Sequence, residues 1–99
     1  MIYCFDLDGT LCTNTEGDYE SASPFLDRIK VVNQLYDEGH RIKIETARGS
    51  STGINWNLVT ENQLKEWGVK YHELRVGVKT HADIFVDDKG VSDVIFFGK

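Results

Sequence analysis

The stretch Ile2-Tyr3-Cys4-Phe5-Asp6-Leu7-Asp8-Gly9-Thr10 runs from a β-branched and aromatic segment straight into two acids and a glycine. Residues 2–6 read as a buried strand that ends in charge. Were the strand to continue, Asp6 and Asp8 would point to opposite faces, because side chains alternate along it. Gly9 permits a sharp turn, so both carboxylates can face one point.

Outward from this stretch, residues 9–23 are rich in Gly, Thr, Asn and Ser and read as a loop with room for a small turn or hairpin. Ser23 and Pro24 have the form of an N-cap and a first helical residue. Phe25, Ile29, Val32 and Tyr36, flanked by Leu26 and Leu35, recur at helical spacing, and Gly39 stops the helix. Residues 41–45 alternate polar and apolar and predict a second strand ending at Thr46. A loop over 47–55 follows, then a helix from about Thr60, where Thr-Glu-Asn-Gln resembles a capping box, to Gly68. That helix turns Leu64 and Trp67 inward. Residues 69–74, 84–86 and 94–97 predict three further strands. Strands alternating with helices imply an α/β class: a single Rossmann-like, three-layer domain over residues 1–99, with a parallel sheet of about five strands and no second domain.

Composition narrows the function. At 40% hydrophobic and 27% charged residues the chain is that of an ordinary globular domain. It has no apolar run long enough for a membrane span and no signal-peptide pattern, so a cytoplasmic protein without membrane contact is expected. Cys4 and Cys12 fit neither a metal knuckle nor a disulfide framework and read as reduced thiols. The net charge of −5 falls to −1 once Asp6, Asp8, Asp87 and Asp88 are set aside, so the acidity is concentrated in one site. No nucleic-acid partner is expected from that balance.

Four polar clusters fall at or before strand ends, where the reactive loops of open parallel sheets gather. A carboxylate attacking phosphorus needs a second acid to protonate the leaving oxygen and later to deprotonate water. Asp6 fits the first role and Asp8 the second. Asp87-Asp88 follows the apolar residues 84–86, and four carboxylates in one pocket would repel unless a cation intervened. Mg²⁺, a hard ion that prefers oxygen ligands, answers that need at Asp6, Asp8, Asp87 and Asp88. Thr46 can donate a hydroxyl, and Lys79 a positive charge, to the equatorial oxygens of a phosphoryl group in flight. Gly9, Thr10, Arg48 and His81 complete the set as candidate substrate contacts. Arg48 sits at the loop mouth, either gripping a second anionic group or lying on the surface. Trp56 and Trp67 read as core or helix-packing residues, Trp56 being the better placed of the two to edge the pocket.

Asp6-Leu-Asp8-Gly-Thr10, Thr46, Lys79 and Asp87-Asp88, in that order, resemble the four signature motifs of the haloacid dehalogenase superfamily. The resemblance implies a nucleophilic Asp6, an acid/base Asp8, and one Mg²⁺ held by Asp6, the Asp8 carbonyl and the terminal acidic pair. It favours phosphotransferases over dehalogenases, which lack the second aspartate. Thr46-Ala-Arg48-Gly49, Trp67, Tyr71 and residues 82–88 are further similar to small phosphatase-like proteins of capsular polysaccharide biosynthesis. Many superfamily members have Gly-Lys-Pro about the lysine, where this chain has Val78-Lys79-Thr80. Neither loop is long enough for the cap domain of larger members, so the resemblance implies an open, cap-less site. Such a site suits a large phosphorylated substrate or a second copy of the chain acting as a cover. The expected activity is Mg²⁺-dependent hydrolysis of a phosphate monoester such as a sugar phosphate, through an aspartyl-phosphate. A polynucleotide 3′-phosphate is the alternative substrate, and a phosphoacceptor or non-catalytic binding module is the alternative class.

Overall fold

The computed structural model describes residues 1–49, 52–77, 84–87 and 91–98, with the backbone alone at 85, 87 and 91–93. The elements, in chain order, are β1 (Ile2–Asp6), a 3-10 turn (Tyr19–Ser21), α1 (Leu26–Asp37), β2 (Arg41–Thr46), α2 (Asn57–Glu66), β3 (Glu73–Val76), β4 (Ile84–Asp87), β5 (Val91–Ser92) and α3 (Asp93–Phe97). They form a parallel sheet in the order β3-β2-β1-β4-β5. This is the α/β architecture that the alternation of strand and helix patterns predicts. No helix among the described residues is long and apolar enough to cross a membrane.

β1 lies at the centre, hydrogen-bonded on both edges. Ile2–Asp6 runs level with residues 41–45 of β2, and Tyr3, Cys4 and Phe5 run level with Ile84, Phe85 and Val86 of β4. A strand enclosed in this way must be apolar, and Phe5 is fully buried. Its core neighbours are Leu7, Leu11, Cys12, Ile29, Val32, Ile42, Ile44, Leu64, Val69 and Val86. At the outer edge, Glu73 of β3 ties itself to β2 through Arg41 at 2.9 Å and Lys43 at 3.7 Å.

Several expected boundaries move, each for a local reason. Residues 94–97, expected as a strand, form most of α3. An unbroken apolar run carries no periodicity by which to tell a buried strand from a short helix. The helix turns Phe96 onto Tyr3 and Phe5, at ring separations of 6.0 and 5.6 Å, and leaves Val94 and Ile95 exposed. β3 starts at Glu73, not at residue 69. Residues 69–72 are instead held by scattered contacts, among them Val69 N–H to Leu64 O, Lys70 N–H to Asn33 Oδ1, and His72 N–H to Ile42 O. α1 starts at Leu26 with no side-chain cap, because Ser23 closes the preceding loop. Its N–H donates to Thr13 Oγ1 at 2.9 Å and its carbonyl accepts from Thr13 N–H at 2.9 Å. Gly39 ends α1 as expected, with φ +94° and the His40 N–H reaching back to Leu35 O. α2 starts at Asn57, so Thr60 is an interior residue of the helix, not its cap.

Candidate active site

The strand order reverses direction at β1: β2 and β3 lie to one side, β4 and β5 to the other. Open parallel sheets bind ligands at such a switch point, beyond the carboxyl ends of the strands. A cavity of about 540 Å³ opens there. Asp6 and Asp8 from the end of β1 and Ala47, Arg48 and Gly49 from the end of β2 form its floor. Asn14, Glu16, Gly17 and Tyr19 from the first loop and Thr52, Ile54 and Trp56 from the second complete its lining.

Asp6 and Asp8 reach one cavity because the chain turns at once after β1. Gly9 takes φ +84°, a left-handed conformation that costs glycine little. The Leu7 carbonyl then accepts from the N–H groups of Thr10, Leu11 and Cys12, and Gly9 N–H donates to Cys12 O at 2.8 Å. The knot is buried: Leu7, Leu11 and Cys12 are core residues. Gly9 and Thr10 therefore serve the turn, and neither lines the cavity. The Thr10 side chain is fully buried, and its carbonyl accepts from Arg28 Nη1 at 3.0 Å. The second loop is shaped by Gly49, at φ +81°, where a Cβ would collide with the Ile54 carbonyl oxygen.

Asp8 is held from several sides. Arg48 donates from Nε to its Oδ2 at 3.0 Å and from Nη2 to its Oδ1 at 2.8 Å, a fork-on-fork pair. The buried Thr46 hydroxyl lies 3.4 Å from the same Oδ2 and accepts the Arg48 backbone N–H at 3.2 Å. Arg48 Nη1 donates to Thr60 Oγ1 at 3.1 Å and to Gln63 Oε1 at 2.7 Å, both on α2. Gln63 Nε2 in turn donates to Tyr19 O at 2.6 Å. The Tyr19 ring lies 4.7 Å from the guanidinium carbon and meets Trp56 edge-on at 4.9 Å. Arg48 is thus neither a surface residue nor a free hand at the mouth. It is 1% exposed, with its donors turned inward.

Both thiols are inert neighbours. Burial, then the adjacent Asp8 charge, pushes the Cys12 thiol up to about 12, against the opposing pull of Arg48. Burial, then Glu45, raises Cys4 to about 12 as well. A thiol that stays protonated at neutral pH is no nucleophile, which removes cysteine chemistry from the site.

Of the residues expected from the sequence, Asp6, Asp8, Thr46 and Arg48 come together, and Trp56 edges the cavity as anticipated. Asp87 is described by its backbone as the last residue of β4, and the register Phe5↔Val86 sets it level with Asp6 on the neighbouring strand. Lys79, His81 and Asp88 lie outside the described residues. Among the described residues no three His, Cys, Asp or Glu side chains converge as a metal cluster. The sequence points to residues 11–22 as a segment that shapes specificity, but it does not single out Asn14, Glu16 or Tyr19, which sit in a loop without periodicity. Sequence reading also missed Thr60 and Gln63, although their place on the same helical face as Leu64 was a usable signal.

No protein-family model and no curated sequence matches the chain. Solved structures do. A crystallised target protein from Vibrio cholerae superposes with a TM-score of 0.76 at 28% identity, over 100% of this chain and 89% of that one. A chain of the Pnkp1/Rnl/Hen1 complex gives 0.61 at 19% identity, over 83% of this chain and 30% of that one. A chain of the Pnkp1/Rnl/Hen1 RNA repair complex gives 0.69 at 14% identity, over 98% of this chain and 38% of that one. The last two establish a likeness of fold with part of a longer chain.

Proposed function

We propose that the chain is a Mg²⁺-dependent phosphohydrolase of the haloacid dehalogenase type, acting on a phosphate monoester. The observation that supports this most is that Asp6 and Asp8, two positions apart after the central strand, open into one cavity at the switch point of the sheet.

The two carboxylates divide the work. An Asp6 carboxylate oxygen attacks phosphorus, forming an aspartyl-phosphate as the P–O bond to the leaving group breaks. Asp8 gives its proton to the departing oxygen, then takes one from the water that attacks the aspartyl-phosphate and releases inorganic phosphate. Thr46 keeps Asp8 company at the end of β2 and is the hydroxyl nearest the reacting centre from that strand. Lys79 is assigned the neutralisation of the phosphoryl oxygens, on the sequence resemblance. An all-oxygen donor set, with Asp87 on the strand beside Asp6, suits a hard divalent ion. Asp6, the Asp8 carbonyl, Asp87 and Asp88 would hold Mg²⁺, which supplies positive charge where the phosphoryl group gains negative charge.

The cavity walls favour a sugar phosphate. Tyr19 and Trp56 offer aromatic surface to a ring, and Asn14 and Glu16 offer acceptors to hydroxyl groups. A polynucleotide 3′-phosphate is the second reading, in keeping with the likeness of fold to a chain of an RNA repair complex, yet Glu16 in the cavity lining would repel a second phosphate. Without a cap, a second copy of the chain is the proposed cover of the open mouth.

A panel of phosphorylated metabolites with Mg²⁺, run beside p-nitrophenyl phosphate, tests the activity. Turnover should appear with a sugar phosphate and vanish in Asp6→Asn. Undiminished hydrolysis by Asp6→Asn would overturn the proposal.

A further inference from the structure

We propose that Arg48 is a positioning residue: it fixes the Asp8 carboxylate in the orientation from which the leaving group receives its proton, and it does not bind the substrate. The inference rests on the acid/base reading of Asp8 given above.

A guanidinium has five N–H donors in a rigid fork. Here Nε and Nη2 take both oxygens of Asp8, and Nη1 takes Thr60 Oγ1 and Gln63 Oε1. The remaining Nη2 hydrogen faces Cys12 Sγ at 4.0 Å, and one face of the group is covered by Tyr19. No donor is left for an incoming phosphate unless Arg48 first releases Asp8. The geometry is equally binding on Asp8. A carboxylate held at both oxygens cannot rotate freely about its Cβ–Cγ bond, and the Thr46 hydroxyl 3.4 Å from Oδ2 and the Cys12 thiol 3.5 Å from Oδ1 add two weaker restraints. Hydroxyl and thiol hydrogens rotate, so the proton that Asp8 passes to the leaving group rides on a lone pair that one of them vacates. The Asp8 side chain nevertheless keeps 18% of its surface exposed and lines the cavity, while that of Arg48 keeps none. One partner is the tool and the other its holder. The buried turn fixes the Asp8 backbone, and two residues of a helix, acting through Arg48, fix its carboxyl group.

Leaving-group dependence separates this role from a general structural one. An alkyl phosphate needs a proton on its departing oxygen, whereas p-nitrophenolate leaves without one. The quantity kcat/KM reports the steps up to that bond cleavage. In Arg48→Met and Arg48→Lys, kcat/KM for an alkyl phosphate should fall about 100-fold, the scale of a general-acid contribution. For p-nitrophenyl phosphate it should fall less than about tenfold. The nitrophenolate should then appear as a burst followed by slow turnover, since water attack needs Asp8 with either substrate. Lysine cannot reproduce the two-pronged contact and should not rescue. Guanidinium ion added to Arg48→Ala should restore part of the alkyl phosphate activity. Gln63→Met, which leaves the Asp8 contact in place but frees Nη1, should show a weaker form of the same split and serves if the Arg48 variants do not fold.

Equal losses on both substrates in folded variants would overturn the inference, as would a raised KM at unchanged kcat. The phosphohydrolase reading fails separately. If Asp8→Asn lacks the leaving-group split, the acid role of Asp8 falls and this inference with it. If Asp8→Asn shows the split and the Arg48 variants do not, only the role of Arg48 falls.

Discussion

Arg48 and Asp8 meet through two parallel hydrogen bonds of 3.0 and 2.8 Å, joining the loop after β2 to the turn after β1. Removing one member of such a pair strands the other, so Arg48→Met should cost about 3 kcal/mol of stability. Asp8→Leu combined with Arg48→Met should recover much of that, since no charge is then left alone. Urea unfolding of the two single variants and the double variant measures the coupling. Strictly additive losses would contradict the pairing.

Gly49 and Gly53 both take left-handed conformations, at φ +81° and +74°, but only at Gly49 would a Cβ strike the backbone of Ile54. Gly53→Ala should therefore cost on the order of 1 kcal/mol, the strain of the conformation alone. Gly49→Ala should cost visibly more and weaken substrate binding as well, because the loop that carries Ile54 and Trp56 must shift. Thermal melts of the two variants give the comparison.

The thiols bear on alkaline stability. Cys4 and Cys12 titrate at about 12 in the folded chain, against 9.0 for an unperturbed thiol. Below pH 9 both states keep their protons and the contribution is intact. Between about 9 and 12 the unfolded chain releases protons that the folded chain retains, so stability falls as pH rises. Chemical denaturation at pH 8 and pH 10 should show the loss, and Cys4→Ala should lessen its pH dependence. At pH 8 a thiol-specific disulfide reagent should label native protein slowly and unfolded protein at once.

Mg²⁺ at millimolar concentration should raise the melting temperature by stabilising the folded state alone, and Asp6→Asn should blunt the rise. Identical melts with and without the ion would count against the proposed metal site.

The sequence discloses the fold's logic better than its boundaries. Ile2–Asp6 announces itself because a covered strand must be apolar and ends where polarity resumes, and Arg41–Thr46 does so by its alternation of polar and apolar residues. Residues 94–97 mislead, since four apolar residues in a row fit a short helix as well as a strand. Asp6 and Asp8 are legible as a pair from Gly9 alone. The task of Arg48 is not, because its four partners lie 40, 12, 15 and 36 positions away, and no local pattern links them. Thr60 shows the same blindness from the other side: its local context suggests a cap, but the long-range contact to Arg48 decides its use.

The central place of β1 has an evolutionary corollary. Asp6, the proposed nucleophile, is moored to a strand with neighbours on both edges, whereas the surfaces that would meet the rest of a substrate belong to the segments around Tyr19 and Trp56. Drift in those segments can retune which ester is accepted while the mooring stays intact, so descendants of one ancestor could diverge in diet long before they lost their chemistry.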